Sequence, residues 1–79
     1  MRLDKFLKVS RLIKRRTVAA EACDAGRVFV NGKVAKAAVK VKVGDIIEIY
    51  FGTKTVKVEV FDIQDTTKKE EAKELFRYL

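Results

Sequence analysis

Residues 27–34, RVFVNGKV, decide how this chain folds. Val28 and Val30 alternate with Phe29, Asn31-Gly32 follows, and Lys33-Val34 resumes the extended pattern. Two extended runs joined by Asn-Gly predict a tight β-hairpin. Both central residues of a type I′ turn need positive φ, and Asn and Gly are the residues that tolerate it.

Upstream, Gly26 is placed to end a helix as its first residue beyond the cap. That helix is read from Thr17, a plausible N-cap, with Val18, Ala22 and Ala25 as its apolar positions and Ala19 and Cys23 flanking. Further upstream, Leu3, Phe6 and Leu7 recur at i, i+3, i+4 and predict a short helix over 2–9. Residues 10–16 connect the two helices, with Leu12 and Ile13 turned inward.

Downstream, 39–52 (VKVKVGDIIEIYFG) gives a second extended region with a turn at Gly44-Asp45, where Ile47 and Ile49 alternate with Glu48. Gly52 marks another turn. In 55–63 (TVKVEVFDI), Val56, Val58 and Val60 then alternate with Lys57 and Glu59, the period of a half-buried strand. The last stretch, 65–79 (DTTKKEEAKELFRYL), pairs Thr67 with Glu70 in a capping box and places Ala72, Leu75, Phe76 and Leu79 at helical spacing. It predicts a terminal helix, folded onto the sheet or reserved for a partner, with Glu70, Glu71 and Glu74 on its outer face. The expected class is α+β: two short N-terminal helices packed on a small twisted antiparallel sheet, with a C-terminal helix. One domain over 1–79 is expected, with a core in 1–51 and the strand and helix in 52–79.

A chain of 79 residues buries only about 60% of its unfolded surface, which leaves little room for a deep cleft. There is no histidine, so the commonest acid–base group at neutral pH is missing. The single cysteine, Cys23, lies on the apolar side of a helix and reads as a small core residue. No Cys/His cluster has metal-ligand spacing, and no glycine-rich phosphate loop is present. The expectation is a non-enzyme without metal or cofactor. One cysteine cannot form an internal disulfide, which fits a reducing cytoplasm. No apolar run approaches the ~18 residues of a membrane span.

The charge is +7 and segregated. Residues 1–40 hold eleven bases and three acids, a balance of +8; residues 41–79 hold seven bases and eight acids. A concentrated basic face points to a polyanion. In 14–20 (KRRTVAA), Lys14, Arg15 and Arg16 immediately precede a helix. A cation there is disfavoured by roughly 0.3–1 kcal/mol, and three repel one another. A phosphate seated between them and the free N–H groups of the helix start reverses each of these terms. Arg11, Arg15 and Arg16 in the connector can grip phosphate oxygens bidentately. Arg2, Lys5 and Lys8 share a face of the first helix. Phe6 reads as core and Phe29 is the one aromatic of this half placed for exposure, so base stacking is poorly supplied there. Shape-and-phosphate recognition of structured RNA fits better. Asp4 has two readings: a salt bridge that orients Arg11 or Arg16 (or a first-turn acid), and an acceptor for an RNA 2′-OH or base amino group. Binding to DNA or to an anionic membrane, and a small RNA-modifying activity, are the competing classes.

The run 2–33, with its opening Arg2-Leu3-Asp4, the arginine before the second helix (Arg16), the small-residue helix ending at Gly26 and the Val30–Lys33 hairpin, resembles the RNA-binding domain named after ribosomal small-subunit protein four. Residues 41–49 resemble the strand that follows. The likeness is closest to free-standing members of a ribosome-associated quality-control type, and next to a heat-shock type. It implies binding to 23S ribosomal RNA of the large subunit and to peptidyl-tRNA, support of C-terminal alanine tailing of stalled nascent chains alongside a tailing factor, and a monomer off the ribosome. It also implies that Arg2 and Arg16 grip ribosomal RNA. The candidate RNA-binding set is Arg2, Asp4, Lys5, Lys8, Arg11, Lys14, Arg15, Arg16, Thr17 and Lys33.

Overall fold

The computed structural model describes residues 1–65, 68 and 70–79. Helix α1 spans Leu3–Val9 and α2 spans Arg16–Asp24. They are followed by strands β1 (Val28–Val30), β2 (Lys33–Val34), β3 (Ile46–Phe51) and β4 (Lys54–Val60), a 3-10 turn at Ala72–Glu74, and β5 (Phe76–Tyr78). The strands form one antiparallel sheet in the order β2-β1-β3-β4-β5.

The Asn-Gly hairpin is as expected. Asn31 has φ 53° and Gly32 φ 82°, and Phe29 and Val30 pair with Val34 and Lys33. Asn31 also does more than turn the chain. Its amide donates to Asp45 Oδ1 (3.1 Å) and its carbonyl oxygen accepts from the Ile46 N–H (2.9 Å), which bolts the hairpin to the start of β3. Asp45 is buried, and its other oxygen takes the Lys42 N–H.

One face of the sheet presents Val28, Ile47, Ile49, Val58 and Val60, all essentially inaccessible. Leu3, Phe6 and Leu7 of α1 and Ala19 and Cys23 of α2 close over it. The α2 core stripe is therefore rotated from the one expected. Ala19 and Cys23, one turn apart, face inward, whereas Val18 is 45% exposed and Ala25 is exposed. The smaller residues win because α2 packs against α1 as well as the sheet, and close helix approach leaves no room for valine. Burial pushes the Cys23 thiol up to about 11, with the Asp24 and Asp4 carboxylates adding to it.

At the C-terminal end of α2 the chain closes as expected. Gly26 (φ 80°) donates to Cys23 O and Arg27 to Ala22 O, the paired bonds of a Schellman motif. At its start, Thr17 is not the cap. Arg15 is, with an extended backbone (φ −121°, ψ 132°) and no side-chain cap bond, and its carbonyl accepts from the Ala19 N–H. Of residues 39–52, only Ile46–Phe51 forms a regular strand; the earlier part contributes a single bridge, Lys40 to Arg2.

The expected C-terminal helix is overturned. Ala72–Glu74 makes one 3-10 turn, and Phe76–Tyr78 then runs antiparallel to β4, with Val60, Glu59 and Val58 opposite Phe76, Arg77 and Tyr78. The capping box falls on Thr67, outside the described residues. The reason is competition. An isolated helix of this length is marginal, whereas β4 offers an open edge of backbone donors and acceptors. As a strand, Phe76 drops into the core, while Arg77 turns out to reach Glu59 Oε1 at 3.2 Å. Leu79, which helical spacing would have buried, is 58% exposed. Glu71 and Glu74 remain at the surface, on the 3-10 turn rather than on a helix.

Candidate nucleic-acid interface

The N-terminal segment is tied down by the loop after β2. Leu3 and Asp4 donate their N–H groups to Val39 O (2.7 Å) and Ala37 O (3.3 Å), and Val41 donates back to Met1 O. The Asp4 side chain takes the Lys5 N–H at 2.8 Å. Helix α1 thus starts with its first donors satisfied. Helix α2 does not: among the described residues, no acceptor meets the N–H groups of Arg16, Thr17 and Val18, and its first turn holds no acid. These donors point outward from an exposed turn, which is the geometry that receives an oxyanion.

Asp4 organises the cations beside that turn. Its carboxylate is only 5% exposed. Arg2 approaches it with both Nε (3.2 Å to Oδ1) and Nη2 (3.3 Å to Oδ2), and Arg16 brings Nη2 to Oδ1 at 3.4 Å. Of the structural partners expected for Asp4, Arg16 is the one engaged, with Arg2 added. Both arginine side chains remain about half exposed. One buried negative charge therefore fixes two positive ones, leaving a net positive charge with unused N–H edges facing solvent. Fixing the forks in advance lowers the side-chain entropy that a ligand would otherwise have to remove.

The other expected residues are spread around this centre. Lys14, Arg15 and Thr17 lie exposed at the entry to α2, and Lys8 lies exposed in the last turn of α1. Arg11 follows α1 with a left-handed backbone, φ 63°. Lys5 is partly engaged by Asp65, at 3.4 Å. Lys33 sits on β2 opposite Val30 and shares no ion pair with the Asp4 cluster. Phe29 is half-buried, edge-on to Tyr50 with ring centres 5.3 Å apart.

Lys40 was missed. It lies directly across from Arg2 in the isolated bridge, where side chains of paired residues share a side. The alternation of 39–43 marks Lys40 as outward-facing; nothing local says that the N-terminus is what it faces. Among the described residues, no His/Cys/Asp/Glu cluster is arranged to hold a metal ion, and no helix is long and apolar enough to cross a membrane.

Comparison with known proteins identifies the family. Residues 1–47, which contain every candidate residue above, match the S4 domain. A Halalkalibacterium halodurans protein named RQC P-site tRNA stabilizing factor is 60% identical over 76 residues, covering 96% of this chain and 86% of that protein. Its Bacillus subtilis namesake is 58% identical over 79 residues, covering 100% and 92%. The trimeric structure of Vibrio cholerae heat shock protein 15 superimposes with a TM-score of 0.93 at 31% identity, over all of this chain and 81% of that one. The resemblance carried by the Arg2-Leu3-Asp4 opening, Arg16 and the Asn-Gly hairpin is therefore a family relationship: this chain belongs to the S4-domain family.

Proposed function

We propose that the protein is a non-catalytic RNA-binding factor acting on the ribosome, in quality control of stalled nascent chains. Its ligand is structured RNA of the large subunit, 23S ribosomal RNA, together with the tRNA that carries the stalled chain. The observation that carries this reading is the buried Asp4 carboxylate holding Arg2 and Arg16 beside the open N–H groups of α2. The name shared by relatives 58–60% identical supplies the tRNA and the ribosomal context. In this reading Arg2 and Arg16 grip the RNA backbone, and Lys5, Lys8, Arg11, Lys14, Arg15, Thr17 and Lys33 extend the contact. Asp4 orients the arginines from its buried position beneath them, and its expected role as a direct acceptor for RNA is not favoured by a carboxylate only 5% exposed. Residues 1–79 act as one RNA-binding unit, a cytoplasmic monomer off the ribosome, supporting alanine tailing alongside a separate tailing factor.

Salt tests the electrostatic core of this proposal. Neutralising about five phosphates gives log K against log salt a slope near −3.5 to −4.5. Arg16→Ala makes that slope shallower by about one unit and leaves the fold intact. Unchanged affinity for large subunits when Arg15 and Arg16 are both replaced by alanine would overturn it. Crosslinking in cells, mapped to nucleotides for wild type and Arg2→Ala, locates the RNA.

The close superposition on heat shock protein 15 favours a second reading, a recycling factor for large subunits. Loss of the gene then leaves tailing of stalled chains unchanged, whereas the first reading requires tailing to fall. A third reading, a detached RNA-binding subunit of a modifying enzyme, requires a change in nucleotide composition when the protein is incubated with bulk tRNA and rRNA.

A further inference from the structure

The geometry points to a nucleobase-stacking site built by the C-terminal strand, outside the residues that match the S4 domain: Tyr78, flanked by Arg11 and Lys73, receives an unpaired base of the RNA held at Arg2 and Arg16. This rests on the RNA-binding reading and extends it.

Tyr78 is 68% exposed, more than the other exposed aromatic rings, Tyr50 (39%), Phe51 (43%) and Phe61 (48%). Its register settles where it lies. Tyr78 pairs with Val58 and Phe76 with Val60, and both valines face the core. Tyr78 therefore stands on the helix-bearing side of the sheet, on the same side as α1 and the connector. Phe76, only 8% exposed, meets its ring edge-on with centres 5.2 Å apart, which holds the ring upright. Two shallow depressions adjoin it. One, about 230 Å³, is lined by Ser10, Arg11, Ala72, Lys73, Phe76 and Tyr78; the other, about 460 Å³, by Lys73, Phe76, Arg77 and Tyr78. Among the described residues, no acid lines either.

An exposed ring with cations on its flanks and a braced back is the combination that stacks a base while its phosphates are neutralised. Tyr78 stands on the α1 side because Phe76–Tyr78 pairs with β4 as a strand, and Lys73 of the preceding 3-10 turn lines the same depressions. Arg11 joins this site directly to the connector that leads to Lys14, Arg15 and Arg16, so one RNA can span both.

Purified large ribosomal subunits are the probe, with full-length variants. Tyr78→Ala should weaken binding roughly five- to a hundredfold, with the melting temperature and the salt slope unchanged. Tyr78→Phe should bind like wild type, and Tyr78→Trp should bind as well and show fluorescence quenched on binding, this chain having no other tryptophan. Wild-type affinity in Tyr78→Ala, a loss in Tyr78→Phe equal to that in Tyr78→Ala, or unquenched Trp fluorescence in the bound state each overturns the site. Arg16→Ala run in parallel separates the two ideas: if it weakens binding while Tyr78→Ala does not, the RNA reading stands and the stacking site falls.

Discussion

Arg16 Nη2 lies 3.4 Å from Asp4 Oδ1, although twelve residues separate them. This contact draws the start of α2 toward α1 and places the half-exposed Arg16 side chain beside N–H groups that have no acceptor within the described chain. A cation at a helix start is electrostatically unfavourable, and Asp4 supplies part of the compensation from another helix. In the proposed function, bound RNA phosphate supplies the remainder.

Asp4→Asn keeps the side-chain shape but sets an amide donor against arginine donors. Asp4 is buried while both arginines are half exposed, so the cost falls below that of breaking a fully buried pair. The expected loss is about 2 kcal/mol. For a domain of this size that is ~8–16 °C in melting temperature. A thermal melt unchanged within experimental scatter would remove Asp4 from its organising role.

Val18 and Ala19 are neighbours with opposite environments, 45% and 0% exposed. Val18→Gln should change stability by less than about 0.5 kcal/mol. Ala19→Leu has to force an isobutyl group between α2 and the sheet and should cost about 1–3 kcal/mol. Denaturant unfolding of both variants checks the rotation of the helix; the reverse order of costs would mean the valine face is the buried one.

Asn31→Gly separates the two tasks of the hairpin asparagine. Glycine keeps the positive φ of 53° but removes the bonds to Asp45 and to the Ile46 N–H. Buried Asp45 then loses a donor, at a cost of about 1–3 kcal/mol. If turn geometry alone mattered, the variant would be as stable as the parent by equilibrium unfolding.

Cys23 gives a pH signature. Its thiol is raised to about 11, chiefly by burial. Above the unfolded value near 9, the unfolded chain releases a proton that the folded chain keeps, so stability falls as pH rises from about 9 to about 11. The full effect is ~2–3 kcal/mol. Lysines and tyrosines also titrate there, so the measurement is the difference between wild type and Cys23→Ala at pH 7, 9 and 10. That difference should move steadily in favour of alanine. A constant difference would show the thiolate to be tolerated in the core.

Several features were legible because their physics is local. Asn31-Gly32 demands positive φ, Gly26 ends a helix with two neighbouring bonds, and the valines of β4 alternate with period two. The cation run at 14–16 conflicts with the adjoining helix start, and the segregated charge can be counted. These gave the hairpin, the two helices, the basic face and Arg2 and Arg16 as candidate residues, which all lie in the part that matches the S4 domain.

The chain order therefore determined where the Asn31-Gly32 turn and the Gly26 helix end fall and which half carries the excess positive charge, because each depends on φ preferences and charge within a few residues. Tertiary structure decided the rest. It turned Ala19 rather than Val18 inward, because helix-to-helix distance is a property of the pair. It made a strand of Phe76–Tyr78, because the free edge of β4 offered hydrogen bonds that an isolated short helix could not match. It brought Arg16 to Asp4 and Lys40 across from Arg2, because contacts across 12 to 38 residues depend on how the sheet and the two helices close over one core.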